Sequence, residues 1–71
     1  MDTSEIPAKS LRAGMYFCDP GTGLWGLVVR VTKVIDEPDK LMIFMKDIPG
    51  RLATKVDRER RMKVQQFVEP K

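Results

Sequence analysis

Residues 10–35 constrain the fold more than any other part of the chain. Residues 10–13 predict a single helical turn capped by Ser10, and Gly14 can supply the left-handed residue that stops it. The Asp-Pro-Gly-Thr-Gly sequence at 19–23 is typical of a turn or loop, because proline fixes one φ and the glycines permit positive φ. Residues 24–35 then predict a long strand or a pair of strands. This order indicates a small β-rich domain.

Alternation within the long strand assigns its side chains to two faces. The more apolar face, which we expect to point into the core, holds Trp25, Leu27, Val29, Val31 and Ile35. In the short preceding strand, Met15–Cys18, Phe17 is expected in the core and Tyr16 on the opposite, exposed side. Gly26 predicts a bulge or a close approach of another part of the backbone.

Two further strands follow along the chain. Residues 36–39 and 47–50 contain the Pro and Gly that typically interrupt strands, and they predict turns. The strand between them, Lys40–Lys46, is apolar on both faces, so the pattern leaves its inward face open. After the second turn, Leu52–Val56 predicts another strand, with Leu52, Thr54 and Val56 on one side.

The last part of the chain has two interpretations. Met62, Val64 and Val68 have the spacing of a strand over Met62–Val68, whereas Val64, Phe67 and Val68 also fit a helix over residues 57–67. We favour the strand and keep the helix as the alternative. Pro70 ends either element.

The pattern as a whole predicts a mainly β fold. Short strands separated by turns every 8–12 residues are typical of a small curled antiparallel sheet or an SH3-like barrel, here with four to five strands and, in the alternative, a C-terminal helix. A chain of 71 residues has room for one domain. We expect a flexible N-terminal segment at 1–9, the domain at 10–68 and a tail at 69–71.

Composition argues against most kinds of site chemistry. The chain has no histidine and a single cysteine, Cys18, which rules out an internal disulfide and the usual structural zinc sets and removes the commonest general base. We therefore expect no enzyme activity, no cofactor and no metal. The longest uncharged apolar run, Leu24–Val29, is too short to span a membrane, and no hydrophobic signal region is visible, so we expect a cytoplasmic protein.

The clearest surface feature is a basic segment at residues 51–63. It carries a local net charge of +4 against +3 for the whole chain, and its basic residues are Arg51, Lys55, Arg58, Arg60, Arg61 and Lys63. Such a segment can contact phosphates or an acidic protein surface, or it can be a solvated face that keeps the protein soluble. Tyr16 is a candidate platform for stacking a nucleic-acid base, and Trp25 is a second one in the alternative that it is exposed and not in the core.

The first half of the chain resembles a known group of small domains. Leu11, Gly14, Met15, Val31 and Val34 fit the pattern of a leucine, a glycine followed by a hydrophobic residue, a loop and a Val-x-x-Val strand. This pattern resembles the opening of SH3-like barrels such as KOW-type modules, the N-terminal domain of elongation factor P and many small phage-encoded proteins. The resemblance covers roughly residues 10–46, and the lysine-bearing loop of elongation factor P is absent.

Three functions follow as hypotheses. The first is a non-enzymatic interaction module that binds a larger protein complex; the resemblance to small phage proteins suggests a regulator of host RNA polymerase. The second is a direct nucleic-acid binder of the KOW or OB type, with largely electrostatic affinity. The third is a structural or assembly component.

Overall fold

The computed structural model describes residues 3–65, which form six antiparallel strands in one open sheet. The strands are β1 (Thr3–Pro7), β2 (Tyr16–Cys18), β3 (Trp25–Val34), β4 (Glu37–Lys46), β5 (Ala53–Asp57) and β6 (Arg61–Gln65), and a 3₁₀ turn spans Ala8–Ser10. Their order across the sheet is β1-β6-β2-β3-β4-β5. The mainly β fold predicted from the sequence is therefore confirmed. The sheet has more strands than the four or five expected, and it is not a closed barrel.

The sheet must curl strongly because β5 lies at one edge while β6 lies near the other. Only residues 58–60 connect these two strands. At Arg58 the two ends of the sheet meet through the backbone: its N–H donates to the carbonyl of Asp39 at 2.9 Å, and its carbonyl accepts from the N–H of Lys9 at 3.0 Å. A short connector thus brings the β1 and β4–β5 ends of an open sheet together.

Two predictions, one for the N-terminal segment and one for the C-terminal element, are corrected by the structure. Residues 3–9 were expected to be flexible, but Thr3–Pro7 pairs along its whole length with β6 and Ala8 is fully buried. The helical alternative for the end of the chain is wrong over Arg61–Gln65, which is a strand with Met62 and Val64 buried. The rest of that prediction, with the predicted tail, lies outside the described residues.

The helical turn expected at residues 10–13 is also misplaced. The short helix lies earlier, at Ala8–Ser10, and the chain then extends through Leu11. Gly14 does take the positive φ that its sequence position suggests, at 96°.

The expected inward face of β3 is wrong in part. Trp25 and Val29 are exposed, and Val28 is buried in their place. The register with β4 shifts between Val28 and Arg30, so Val29 is the extra residue of a bulge. Because a bulge changes which side of the strand each later residue faces, Val28 and Val31 both reach the core although they are three residues apart.

The core lies on the inner side of the curled sheet. Its buried apolar residues are Ala8, Leu11, Phe17, Val28, Leu41, Ile43, Met45, Ile48, Val56, Met62 and Val64. This confirms Phe17 as a core residue and settles the open question about β4, whose inward residues are Leu41, Ile43 and Met45. Leu52 precedes β5 and is 81% exposed, so its expected alignment with Thr54 and Val56 is wrong.

Gly26 marks a point where the chain after β4 packs against β3. A Cβ at this position would lie 2.6 Å from the Cγ1 and Cδ1 atoms of Ile48 and 3.0 Å from the carbonyl oxygen of Lys46. Ile48 is itself buried, so its side chain has little room to move aside. The close approach predicted for this glycine is confirmed, whereas the bulge lies three residues later.

We therefore predict that Gly26→Ala lowers the free energy of unfolding by about 1–3 kcal/mol, the usual cost of overpacking. Urea unfolding followed by circular dichroism measures it. The matched control is Ile35→Ala at an 88% exposed position, which should change stability by less than about 0.5 kcal/mol. Equal effects of the two substitutions would contradict the packing described for Gly26.

Candidate functional site

Arg51, the first residue of the predicted basic segment, has a structural role. Its Nε donates to Oδ2 of Asp19 at 3.0 Å, and its Nη2 donates to Oδ1 of Asp19 at 3.1 Å and to Oγ1 of Thr54 at 3.0 Å. The Asp19 side chain is completely buried, and that of Arg51 is one-third exposed. This bidentate pair ties the 19–23 loop to the connection between β4 and β5, so Arg51 is committed to an internal partner.

The environment of Asp19 favours its charged form. Burial by itself raises the pKa of this carboxyl group, but hydrogen bonds from the Arg51 guanidinium, the Gly21 N–H and the Thr22 hydroxyl outweigh it. The pKa of Asp19 therefore lies below its ordinary value of 3.8. A buried carboxylate with this many donors is a structural anchor for the loop.

Lys55 and Arg58 lie apart from the other predicted site residues. Lys55 projects from β5 and forms an ion pair with Glu37 at 2.8 Å. Arg58 stands in the connector between β5 and β6 and lines a groove on a different side of the molecule. The basic segment is therefore not one continuous surface.

The structure does bring together Arg60, Arg61 and Lys63. They line a cleft of about 250 Å³, here called the basic cleft, whose other lining residues are Cys18, Asp19, Pro20, Gly23 and Met62. The cleft opens where β2 and β6 separate, beyond their last paired residues, Phe17 and Val64. Arg61 also donates to the carbonyl of Glu5 at 3.0 Å, which holds its guanidinium against β1.

The charge of the basic cleft stays positive after its acidic neighbours are counted. Asp19 is already neutralised by its pair with Arg51. Asp57, which interacts with Arg60, is already paired with Lys40, and Glu5 lies opposite Lys63 in the register of β1 and β6. Among residues 3–65 the three cations therefore outnumber the carboxylates near them that have no cation of their own. The cleft can therefore hold an anionic group such as a phosphate.

Next to the basic cleft, the outer face of the sheet carries a row of side chains across four strands. Gln65, Tyr16, Leu27 and Lys46 are successive partners across β6, β2, β3 and β4, and Trp25 lies beside the row opposite Cys18. We call Gln65, Tyr16, Leu27, Lys46 and Trp25 the aromatic row. The alternating neighbours Phe17 and Val28 are buried, so the row points outward.

The two aromatic side chains of the row have different exposure from that expected. Tyr16 is half-buried instead of fully exposed, and Trp25, expected in the core, is 36% exposed. Trp25 was a surface candidate only in the alternative to its place in the core, and Leu27 and Lys46 were missed because an apolar strand face is normally inward. The uninterrupted alternation from Tyr16 to Cys18 and from Trp25 to Leu27 was the signal that could have placed them together.

The outer face and the basic cleft combine cationic, aromatic and apolar side chains. Within residues 3–65 no group of three histidine, cysteine or acidic side chains lies close enough to hold a metal ion. The same residues include no helix of the length and apolarity needed to cross a membrane. The face offers cations for an anion and flat apolar side chains for a planar group.

We predict that Arg51→Ala lowers the free energy of unfolding by about 3 kcal/mol, because it leaves the buried Asp19 carboxylate without its charged partner. The matched control, Lys55→Ala, removes an exposed ion pair and should cost less than about 1 kcal/mol. Thermal and urea unfolding compare the two variants. Equal costs would show that Arg51 is an ordinary surface residue.

The lowered pKa of Asp19 also predicts a dependence of stability on pH. Its contribution is fully present above the unfolded-state pKa near 3.8 and is lost as the pH falls through the lower folded-state value. Between about pH 5 and pH 2 the wild-type protein should therefore lose more unfolding free energy than Asp19→Asn, which cannot titrate there. Parallel pH profiles of the two proteins would contradict the assignment.

Comparisons with known proteins identify no relative from which a role for this site follows. No family model matches the chain, and neither the curated proteins nor the solved structures searched contain a significant match.

Proposed function

We propose that this protein is a non-enzymatic binding module for single-stranded nucleic acid. The observation that supports the proposal is the placement of the basic cleft directly beside the outward-facing aromatic row. In this proposal phosphates contact Arg60, Arg61 and Lys63, and bases stack on Trp25 and Tyr16. The proposal develops the nucleic-acid hypothesis drawn from the sequence.

Cations and aromatic side chains contribute differently to such binding. A cationic groove follows the phosphate backbone without reading sequence, and each base stacked on an aromatic ring adds about 1–3 kcal/mol. The strands of a small sheet hold Tyr16 and Trp25 in fixed positions, so little side-chain entropy is lost on binding.

The arrangement favours single strands over a duplex. Bases in a duplex are stacked on one another and cannot reach an aromatic ring on a sheet surface, whereas unpaired bases can. Leu27 and Gln65 lie within the aromatic row and offer, respectively, an apolar contact and a hydrogen-bonding amide to a base edge. The row does not distinguish the two sugar types, so DNA and RNA are separate arms of the test.

The hypotheses of a protein partner stay open as predictions. Ile35 and Leu52 are 88% and 81% exposed, but single exposed apolar side chains are normal on protein surfaces and indicate no partner by themselves. Binding to a larger complex therefore stays the second candidate function, of which a regulator of host RNA polymerase is the case suggested by resemblance. A role as an assembly component, the SH3-like relationship and the cytoplasmic location also remain predictions.

The test is fluorescence anisotropy with labelled oligonucleotides of about 12 nucleotides, dT in one arm and U in the other. With about three phosphates neutralised, the logarithm of the affinity should fall with the logarithm of salt concentration with a slope of about −2. Arg60→Glu/Lys63→Glu should weaken binding more than about tenfold, since it removes two attractive charges and adds two repulsive ones.

The matched control for that variant is Lys33→Glu/Arg58→Glu, which makes the same change of net charge on another surface. It should weaken oligonucleotide binding less than about threefold, because separated charges are screened by salt. Equal losses in the two variants would mean that net charge alone drives binding. Absence of binding at about 50 mM salt would contradict the proposed function.

A further inference from the structure

The second half of β3 has an open backbone edge. On the side away from β4, β2 pairs only with residues 25–27 of β3. The last backbone hydrogen bonds on this side join the Val28 N–H to the Met15 carbonyl at 2.8 Å and the Gly14 N–H to the Val28 carbonyl at 2.9 Å. From Val29 to Lys33 no other backbone within residues 3–65 pairs with this side.

A groove of about 530 Å³ runs beside the open edge, and we call it the edge groove. Residues 29–33 and residues 11–13 make up most of its lining. Its apolar lining includes Val29 and Val31, which the bulge in β3 places at the groove, as well as Leu41. The groove therefore combines unpaired strand backbone with apolar side chains.

The charged residues that line the edge groove are all basic. Lys9 forms an ion pair with Glu59 at 2.9 Å, Arg12 donates to the carbonyl of Leu11 at 3.0 Å, and Arg30 stacks over the ring of Phe44 at 4.9 Å. The other two, Lys33 and Arg58, form no ion pair within residues 3–65. These two side chains are available to an incoming carboxylate.

Beyond Arg58 the charged residues that line the surface change from basic to acidic. A neighbouring hollow shares Pro38 and Arg58 with the edge groove and is otherwise lined by Asp39, Asp57 and Glu59. Asp57 and Glu59 are already paired with Lys40 and Lys9, so an acidic occupant of the edge groove is attracted up to Arg58 and is repelled beyond it chiefly by Asp39. This boundary limits the length of chain that the groove can hold.

We propose that the edge groove binds an extended acidic segment of a partner protein, which adds a strand to the open edge of β3. Main-chain hydrogen bonds to residues 29–33 would hold the backbone of the segment. Side chains two residues apart share a face of an extended segment, and Val31 and Lys33 share the same face of β3. Apolar residues towards one end of that face of the segment can therefore contact Val29 and Val31, while carboxylates towards its other end contact Lys33 and Arg58.

A peptide fits this groove better than a nucleic acid does. The open strand edge presents alternating N–H donors and carbonyl acceptors, which match another peptide backbone, whereas phosphates can use only the donors. No aromatic side chain within residues 3–65 lines the groove, so this part of the chain offers no platform there for stacking bases. The inference is independent of the function proposed for the basic cleft.

The test uses a fluorescein-labelled peptide of about eight residues, Glu-Thr-Glu-Thr-Val-Thr-Val-Thr, which carries Glu and Val on one face, measured by anisotropy on the full chain. A second peptide of the same sequence carries N-methyl groups on alternate residues, which removes the donors needed for strand pairing. The unmodified peptide should bind at least about tenfold more tightly than the methylated one. Lys33→Glu/Arg58→Glu should weaken its binding at least about tenfold.

The control variant is Arg60→Glu/Lys63→Glu, which should leave peptide affinity within about threefold of the wild-type value, because its charges lie in the other cleft. Circular dichroism establishes that both double variants are folded. Equal affinity for the methylated peptide, no binding at about millimolar peptide, or equal losses in the two variants would each overturn the proposal. Displacement of the peptide from this groove by the dT or U oligonucleotide would assign it to nucleic acid instead.

Discussion

The short connection between β5 and β6 is the constraint on which the rest of the structure depends. Residues 58–60 must carry the chain from one edge of the sheet to a position between β1 and β2, which is feasible only if the sheet curls until its ends meet. The backbone hydrogen bonds of Arg58 with Asp39 and Lys9 join the two ends of the sheet. The curl creates the core on its inner side and leaves the aromatic row on its outer side.

The same connection divides the basic segment among separate surfaces. Arg58, within the connector, lines the edge groove, while Arg60 and the outward residues of β6 line the basic cleft. Arg51 is drawn inward by the buried Asp19, and Lys55 is paired with Glu37. A run of charges that looks uniform in sequence is thus divided between an internal ion pair, an exposed ion pair and two separate clefts.

Local patterns in the sequence were sufficient for most of the strands and turns but not for the faces of β3. The β-branched run predicted that strand correctly, yet the single extra residue at Val29 reversed its inward side, and nothing in the run marks the bulge. β1 was missed because its Thr-Ser-Glu-Ile-Pro sequence is mostly polar, and its pairing with β6 is a long-range contact. Part of the candidate site was predictable, because Arg60, Arg61 and Lys63 do line one cleft and Tyr16 lies near it. The role of Arg51 was not predictable, because its partner Asp19 lies 32 residues away in the sequence.

The central claim is that the outer face around Trp25 receives unpaired bases, and the sole tryptophan of the chain makes it directly measurable. Titration of the protein with an unlabelled dT oligonucleotide should quench the fluorescence of Trp25 as a base stacks on its indole. The quenching should saturate in step with the binding measured by anisotropy and be lost at high salt. Full binding by anisotropy with unchanged tryptophan fluorescence would contradict this account, because the nucleic acid would then occupy another face.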